Sequence, residues 1–140
     1  GNQSMMEAAA AEKGDLKVLA VTALTSLDQG DLNDMGFTCD IQELVISRAK
    51  RALSSGCDGI VASGLELEHI RNEVDQKLVI VTPGIRPVLN RPTDDQKRVV
   101  TVEQAFQWGA DHIVVGRPIK DAANPREAAE LIQESIANSI

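Results

Sequence analysis

Tyrosine is absent from this chain, and the other aromatics are scarce, one Trp and two Phe among 140 residues. That argues against a protein that stacks bases on aromatic platforms. Positive charge is short as well. The 14 Lys and Arg face 21 Asp and Glu, a net charge of −7, whereas a nucleic-acid footprint is a basic stripe. No apolar run approaches the roughly 20 residues that cross a bilayer, so neither a membrane nor a nucleic acid is an expected partner. Gly1-Asn2-Gln3-Ser4 is polar and leads into Met5-Met6-Glu7-Ala8, which is not a basic region followed by an apolar signal core. Residues 1–4 read as an added scar or a native loop. Cysteine is limited to Cys39 and Cys57, which form no CxxC pair and read as reduced thiols of a cytoplasmic protein. The length suits one domain over residues 1–140. It is too short for a complete (β/α)8 TIM barrel, which takes about 250 residues.

What is present is an alternation of short apolar runs and longer amphipathic stretches. Residues 6–13 are Ala-rich and read as a helix stopped by Gly14, with the Met5-Met6 pair as core filler. Residues 17–24 are rich in Val and Leu and read as a buried strand. A long loop is expected over 25–38. Asp40 and Glu43 have capping-box spacing and open a helix that runs to Gly56. Further strands are expected at 58–63, 77–82 and 112–116. Helices are expected at 65–74, at 101–109 with Thr101 and Gln104 as its capping box, and from Asn124-Pro125 onward. Four β-runs, each followed by a helix, predict an α/β fold with four parallel strands and right-handed crossovers. That order fits half a barrel or a small open sheet.

In parallel α/β folds, ligands meet the C-terminal ends of the strands. Here those ends are Leu24-Thr25-Ser26, Ala62-Ser63-Gly64, Thr82-Pro83-Gly84-Ile85-Arg86 and Gly116-Arg117-Pro118-Ile119. Glycine lets the backbone approach a ligand closely, and arginine offers a planar fork of donors matched to phosphate oxygens. Arg86, Gln96, Gly116 and Arg117 therefore compose a phosphate clamp. The same arginines also read as solvated loop residues in surface ion pairs. Thr25 and Ser63 read either as ligand contacts or as hydroxyls that cap loops. His69 and His112 suit structural or surface roles better than that of a catalytic base. Asp94 and Asp95 sit in a charged loop with Arg86, Arg91 and Arg98 and read as solvated.

Four blocks, Leu19-Ala-Val-Thr-Ala-Leu-Thr-Ser26, Thr82-Pro-Gly-Ile-Arg-Pro87, Asp94-Asp-Gln-Lys-Arg98 and Val114-Val-Gly-Arg-Pro-Ile119, resemble the bacterial orotidine 5′-monophosphate decarboxylase family in order and spacing. The similarity runs from Met5 to the end and implies the C-terminal half of that enzyme, strands five to eight of its barrel. By resemblance, Arg117 and the Gly116 backbone bind the 5′-phosphate, helped by Gln96 and Arg86. Thr25 would contact the pyrimidine, and Pro83 would pack beside it. The resemblance further implies a pyrimidine nucleotide 5′-monophosphate as ligand, no metal or organic cofactor, and either a homodimer or pairing with an N-terminal half.

The family's chemistry resembles proton delivery by a Lys held in an Asp/Lys array with an Asp-x-Lys-x-x-Asp segment. That segment is missing: Asp15-Leu-Lys17 is followed by Ala20, Asp75-Gln-Lys77 by Ile80, and Asp95-Gln-Lys97 by Val100. A phosphate clamp supplies binding but cannot stress a substrate carboxylate or protonate a carbanion. The expectation is a parent activity converting orotidine monophosphate to uridine monophosphate and CO2, with no catalytic residue in this chain and no activity on its own. Two other readings stand beside it. One is a non-catalytic half-barrel for phosphate or nucleotide, or an assembly module. The other is a relative of keto-gulonate-phosphate decarboxylases, against which the Leu24-Thr25-Ser26 block argues.

Overall fold

The computed structural model describes residues 2–86 and 97–140. Four strands, β1 (Leu19–Val21), β2 (Gly59–Val61), β3 (Val79–Thr82) and β4 (His112–Ile113), lie side by side in chain order. Every pairing is parallel. The helices are α1 (Gln3–Ala11), α2 (Gln29–Asp34), α3 (Ile41–Ser54), α4 (Leu67–Glu73), α5 (Val102–Gln107), α6 (Arg117–Lys120) and α7 (Pro125–Ala137). The expected alternation of strand and helix is therefore present.

Register separates the two faces of the sheet. Ala20, Ile60 and Ile80 form one row across β1, β2 and β3, and paired residues of parallel strands point to the same side. Ile60 and Ile80 are fully buried, together with Val45 and Ala49 from α3, Leu67 and Ile70 from α4, and Ala105 from α5. Burying each large aliphatic side chain of this kind contributes about 1.5–3 kcal/mol. The neighbouring row behaves differently, with Val21 exposed and Val61 and Val81 half-buried. Helices thus cover one face of the sheet, and among the described residues nothing comparable covers the opposite face.

Both expected capping boxes form. The Glu43 amide donates to Asp40 Oδ1 at 2.7 Å and the Asp40 amide to Glu43 Oε2 at 3.1 Å. Thr101 and Gln104 repeat the exchange at 3.2 and 3.0 Å. Asn124 caps α7, with Pro125 in its first turn.

Local structure departs from the sequence reading at five points. Asn2 accepts the Met5 amide at 3.0 Å and starts α1 at Gln3, so Gln3 and Ser4 are helical and the loop expected there is corrected. The methionine pair divides, with Met6 buried and Met5 58% exposed. The expected loop 25–38 contains α2, because Asp28 and Asp31 make their own capping box. The segment after Gly116 coils at once into α6, and the strands are shorter than their apolar runs because ladder pairing ends before the apolar residues do.

Candidate functional site

The candidate site lies at the carboxyl ends of the strands, and the backbone there is shaped by close packing. Gly84 has φ +77, and a Cβ on it would lie 2.8 Å from the Arg98 carbonyl oxygen. Only glycine meets both demands at this point. The chain leaves β3 through Gly84 and comes back alongside itself. The Arg86 amide donates to Val100 O at 2.9 Å, the Val100 amide to Gly84 O at 3.2 Å, and Ile85 bridges Val100 in parallel. Arg86 is therefore placed by a short stretch of sheet-like pairing and not by a free loop.

A cleft of about 290 Å³ opens between the ends of β1, β3 and β4. Thr25, Pro83, Gly84, Arg86, Gly116 and Arg117 line it, with Val21, Ala23, Leu24, Val61 and Val114 supplying an apolar wall. The structure thus brings together Thr25, Pro83, Arg86, Gly116 and Arg117 from three separate strand ends. Thr25 is buried, Arg86 half-buried and Arg117 exposed. Among the described lining residues there are two guanidinium groups and no carboxylate. Two guanidinium groups beside an apolar wall are a lining that suits an anion with an apolar body.

Other candidates lie elsewhere. Gln96, Asp94 and Asp95 fall outside the described residues. Ser63 is fully buried, and its hydroxyl accepts the Leu65 amide at 3.3 Å, capping the turn after β2. His69 sits on α4 beside Glu73 at 3.8 Å, and His112 is exposed on β4. Neither borders the cleft.

The sequence reading missed a set of cations that hold the exit of β1. An Arg48 guanidinium nitrogen donates to Thr22 O. Arg98 Nη2 donates to Ala23 O at 3.4 Å and Leu24 O at 3.1 Å. Thr25 O accepts the amides of Lys97 and Arg98, each at 3.2 Å. Arg98 Nη1 meets Glu66 Oε1 at 2.5 Å, with the two side chains 6% and 4% exposed. Burial pushes the Glu66 carboxyl above its ordinary range, and the Arg98 charge pulls it back. Lys97 Nζ bridges Asp28 and Asp31 at 2.8 Å each, which holds the Asp28 carboxyl down at about 2. The Asp28-x-x-Asp31 spacing is a local capping signal that the loop reading of 25–38 passed over. The partners of Arg98 lie 32 or more positions away, beyond the reach of local pattern.

Fold and cleft define a class: a parallel (β/α)4 unit, half of a (β/α)8 barrel, with an anion-suited site at the carboxyl ends of its strands. The sequence profile described as "Orotidine 5'-phosphate decarboxylase / HUMPS family" matches residues 1–132, and the chain belongs to that family. Its relatives include the orotidine 5′-phosphate decarboxylase of Methylococcus capsulatus, 68% identical over 97% of this chain and 56% of the relative. That of Nitrobacter winogradskyi is 48% identical over 100% of this chain and 59% of the relative. Among solved structures, the orotidine 5′-phosphate decarboxylase of Lactobacillus acidophilus superposes with a TM-score of 0.79 at 33% identity, covering 96% of this chain and 59% of the other. The chain therefore spans a little over half the length of the relatives it matches.

Proposed function

We propose that this chain is the phosphate-binding half of an orotidine 5′-phosphate decarboxylase, acting as one domain over residues 1–140. The observation that carries the reading is the convergence of Thr25, Pro83, Arg86, Gly116 and Arg117 on one cleft. The ligand is a pyrimidine nucleotide 5′-monophosphate. Arg117, the Gly116 backbone and Arg86 hold its phosphate, with Gln96 as a further amide donor. Thr25 contacts the pyrimidine, and Pro83 packs beside it. Hydrogen bonds from a guanidinium to a phosphate are charge-assisted and contribute about 1.5–3 kcal/mol each.

The parent reaction releases CO2 from orotidine monophosphate to give uridine monophosphate, without metal or organic cofactor. It needs an ammonium to protonate the developing carbanion and a carboxylate array to stress the substrate. The absence of an Asp-x-Lys-x-x-Asp segment from this sequence supports an inactive chain. Two features support pairing with a second copy or with an N-terminal half. β1 and β4 are the edge strands, and Leu19, Val21 and Val114 are 38%, 54% and 51% exposed. Edges and apolar faces of this kind invite further strands. The free thiols of Cys39 and Cys57 are in keeping with a cytoplasmic setting.

Titrating uridine 5′-monophosphate into the purified chain by calorimetry tests the binding, and a CO2-release assay with orotidine 5′-monophosphate tests the chemistry. Heat of binding without CO2 release is the expected pair of results. CO2 release by the chain alone would overturn the inactive assignment, and no binding at millimolar nucleotide would overturn the site.

A further inference from the structure

We propose that the buried Glu66–Arg98 pair is a positioning device. It fixes the backbone of residues 23–25 at the exit of β1 against the exit of β3, and so sets where the Thr25 wall of the cleft stands relative to Arg86. The inference rests on the reading of that cleft as a nucleotide site.

The geometry separates this role from plain stabilisation. A buried ion pair is a weak source of stability, since apolar side chains of similar volume serve as well or better. If stability alone were selected, the strongest arrangement would be a bidentate pair. Here Arg98 gives Glu66 a single link at 2.5 Å. Glu66 Oε2 and Arg98 Nε have no hydrogen-bond partner among the described residues. The other guanidinium nitrogen turns away from Glu66 to the carbonyls of Ala23 and Leu24. An apolar pair could fill the same space, but it could not donate to two successive carbonyls.

The main chain of Arg98 completes the connection. Its amide donates to Thr25 O at 3.2 Å, and its carbonyl oxygen lies 2.8 Å from where a Gly84 Cβ would stand. One residue therefore touches the exits of both β1 and β3. Glu66 holds it from the turn after β2, which spans Gly64–Glu66. A Cβ on Gly64 would lie 2.3 Å from a Val100 side-chain carbon, so that turn is itself pressed against the residue that pairs with the Arg86 stretch.

The test compares wild-type chain, Arg98→Met, the double variant Glu66→Leu/Arg98→Met, and Arg98→Lys. Three quantities are read: thermal midpoint, Kd for uridine 5′-monophosphate well below that midpoint, and amide exchange at residues 97 and 98. Arg98→Met lowers the midpoint by leaving Glu66 buried without its cation. The double variant restores the midpoint but not the function. Its Kd stays weaker by about tenfold, and the two amides exchange about tenfold faster. A double variant with wild-type Kd and wild-type exchange overturns the proposal. If the wild type binds no nucleotide, the nucleotide reading of the cleft fails, and exchange alone decides the positioning role: faster exchange supports it, unchanged exchange overturns it. Should the double variant not fold, Arg98→Lys decides by the same exchange criterion. It keeps a cation for Glu66 and loses the fork that reaches both carbonyls.

Discussion

At the amino-terminal end of the sheet, Arg71 on α4 donates to Leu78 O at 2.7 Å, to Gly109 O at 2.6 and 2.9 Å, and to Asp111 Oδ2 at 2.8 Å. At the carboxyl end, Arg86 and Arg117 border an open cleft. The first arginine is consumed by the backbone just before β3 and β4. Asp111 passes the linkage on by accepting the Ile80 amide at 2.7 Å. Lys13 and Asp58 make a similar tie before β2, at 2.7 Å, and that contact together with the Val18 amide holds the Asp58 carboxyl below its ordinary range. The amino-terminal end of the sheet is thus stitched shut by charged side chains, whereas the carboxyl end, itself tied at the β1 exit by Arg48, Lys97 and Arg98, also lines a cavity with guanidinium groups. This division is the one (β/α)8 barrels make between a stabilising face and a ligand face.

The sharpest way to break the comparison is to move a defect from one end to the other. Arg71→Met strips the carbonyls of Asp75, Gln76, Leu78 and Gly109, and the Asp111 carboxylate, of a guanidinium donor in a place where the Arg71 side chain is only 12% exposed. It should cost about 2–3 kcal/mol of folding free energy, read from urea denaturation, while the Kd of the folded fraction for uridine 5′-monophosphate stays at the wild-type value. A weakened Kd would mean that the two ends are coupled and that the division is false.

Arg117→Ala is the converse and the next largest effect. Arg117 is exposed at the start of α6, so its loss should leave folding within about 0.5 kcal/mol of wild type. Nucleotide affinity should fall by about tenfold to a hundredfold, the equivalent of one charge-assisted hydrogen bond. Calorimetry with uridine 5′-monophosphate reads it, and inorganic phosphate as competitor reports whether the phosphate is the lost contact. Unchanged affinity would return Arg117 to the class of solvated loop arginines.

The same comparison explains what could be read from the sequence and what could not. The apolar runs at β1 to β4 and the capping pairs Asp40/Glu43 and Thr101/Gln104 are local signals, and each became the element it implied. Gly84, Arg86, Gly116 and Arg117 were legible as candidates because strand ends are where a parallel sheet meets its ligands. Resemblance to known decarboxylases then narrowed the choice between clamp and surface. The supporting layer was not legible. Arg98 reads in sequence as one more charge in a loop, and Glu66 as a residue in a helical run. Their meaning arises only when the sheet brings positions 23, 24, 66 and 98 together. α2 was hidden for a different reason. Its six residues are polar apart from Gly30 and Leu32, so its helicity rests on the Asp28 cap and one buried contact, without an apolar period to betray it.

Lys97 offers the finest test, because it ties α2 to the backbone beside Arg98 entirely through exposed charges. Lys97, Asp28 and Asp31 are all at least 38% exposed at their side chains, so the linkage is screened by water and salt. Asp28→Asn isolates the charge, since asparagine keeps the capping oxygen that accepts the Asp31 amide at 3.0 Å. The Asp28 carboxyl titrates at about 2 in the fold against an ordinary 3.8. A depressed pKa of this kind contributes stability that is present in full above the ordinary value and is lost as pH falls toward the folded value. Wild type should therefore exceed Asp28→Asn in stability by a small margin at neutral pH. That margin should shrink between about pH 4 and pH 2 and at high salt, with nucleotide affinity changed by less than about twofold. A margin that survives unchanged at pH 2 would place its origin outside the Lys97 charge. A large loss of affinity would make this exposed link, and not the buried Arg98, the anchor of the β1 exit.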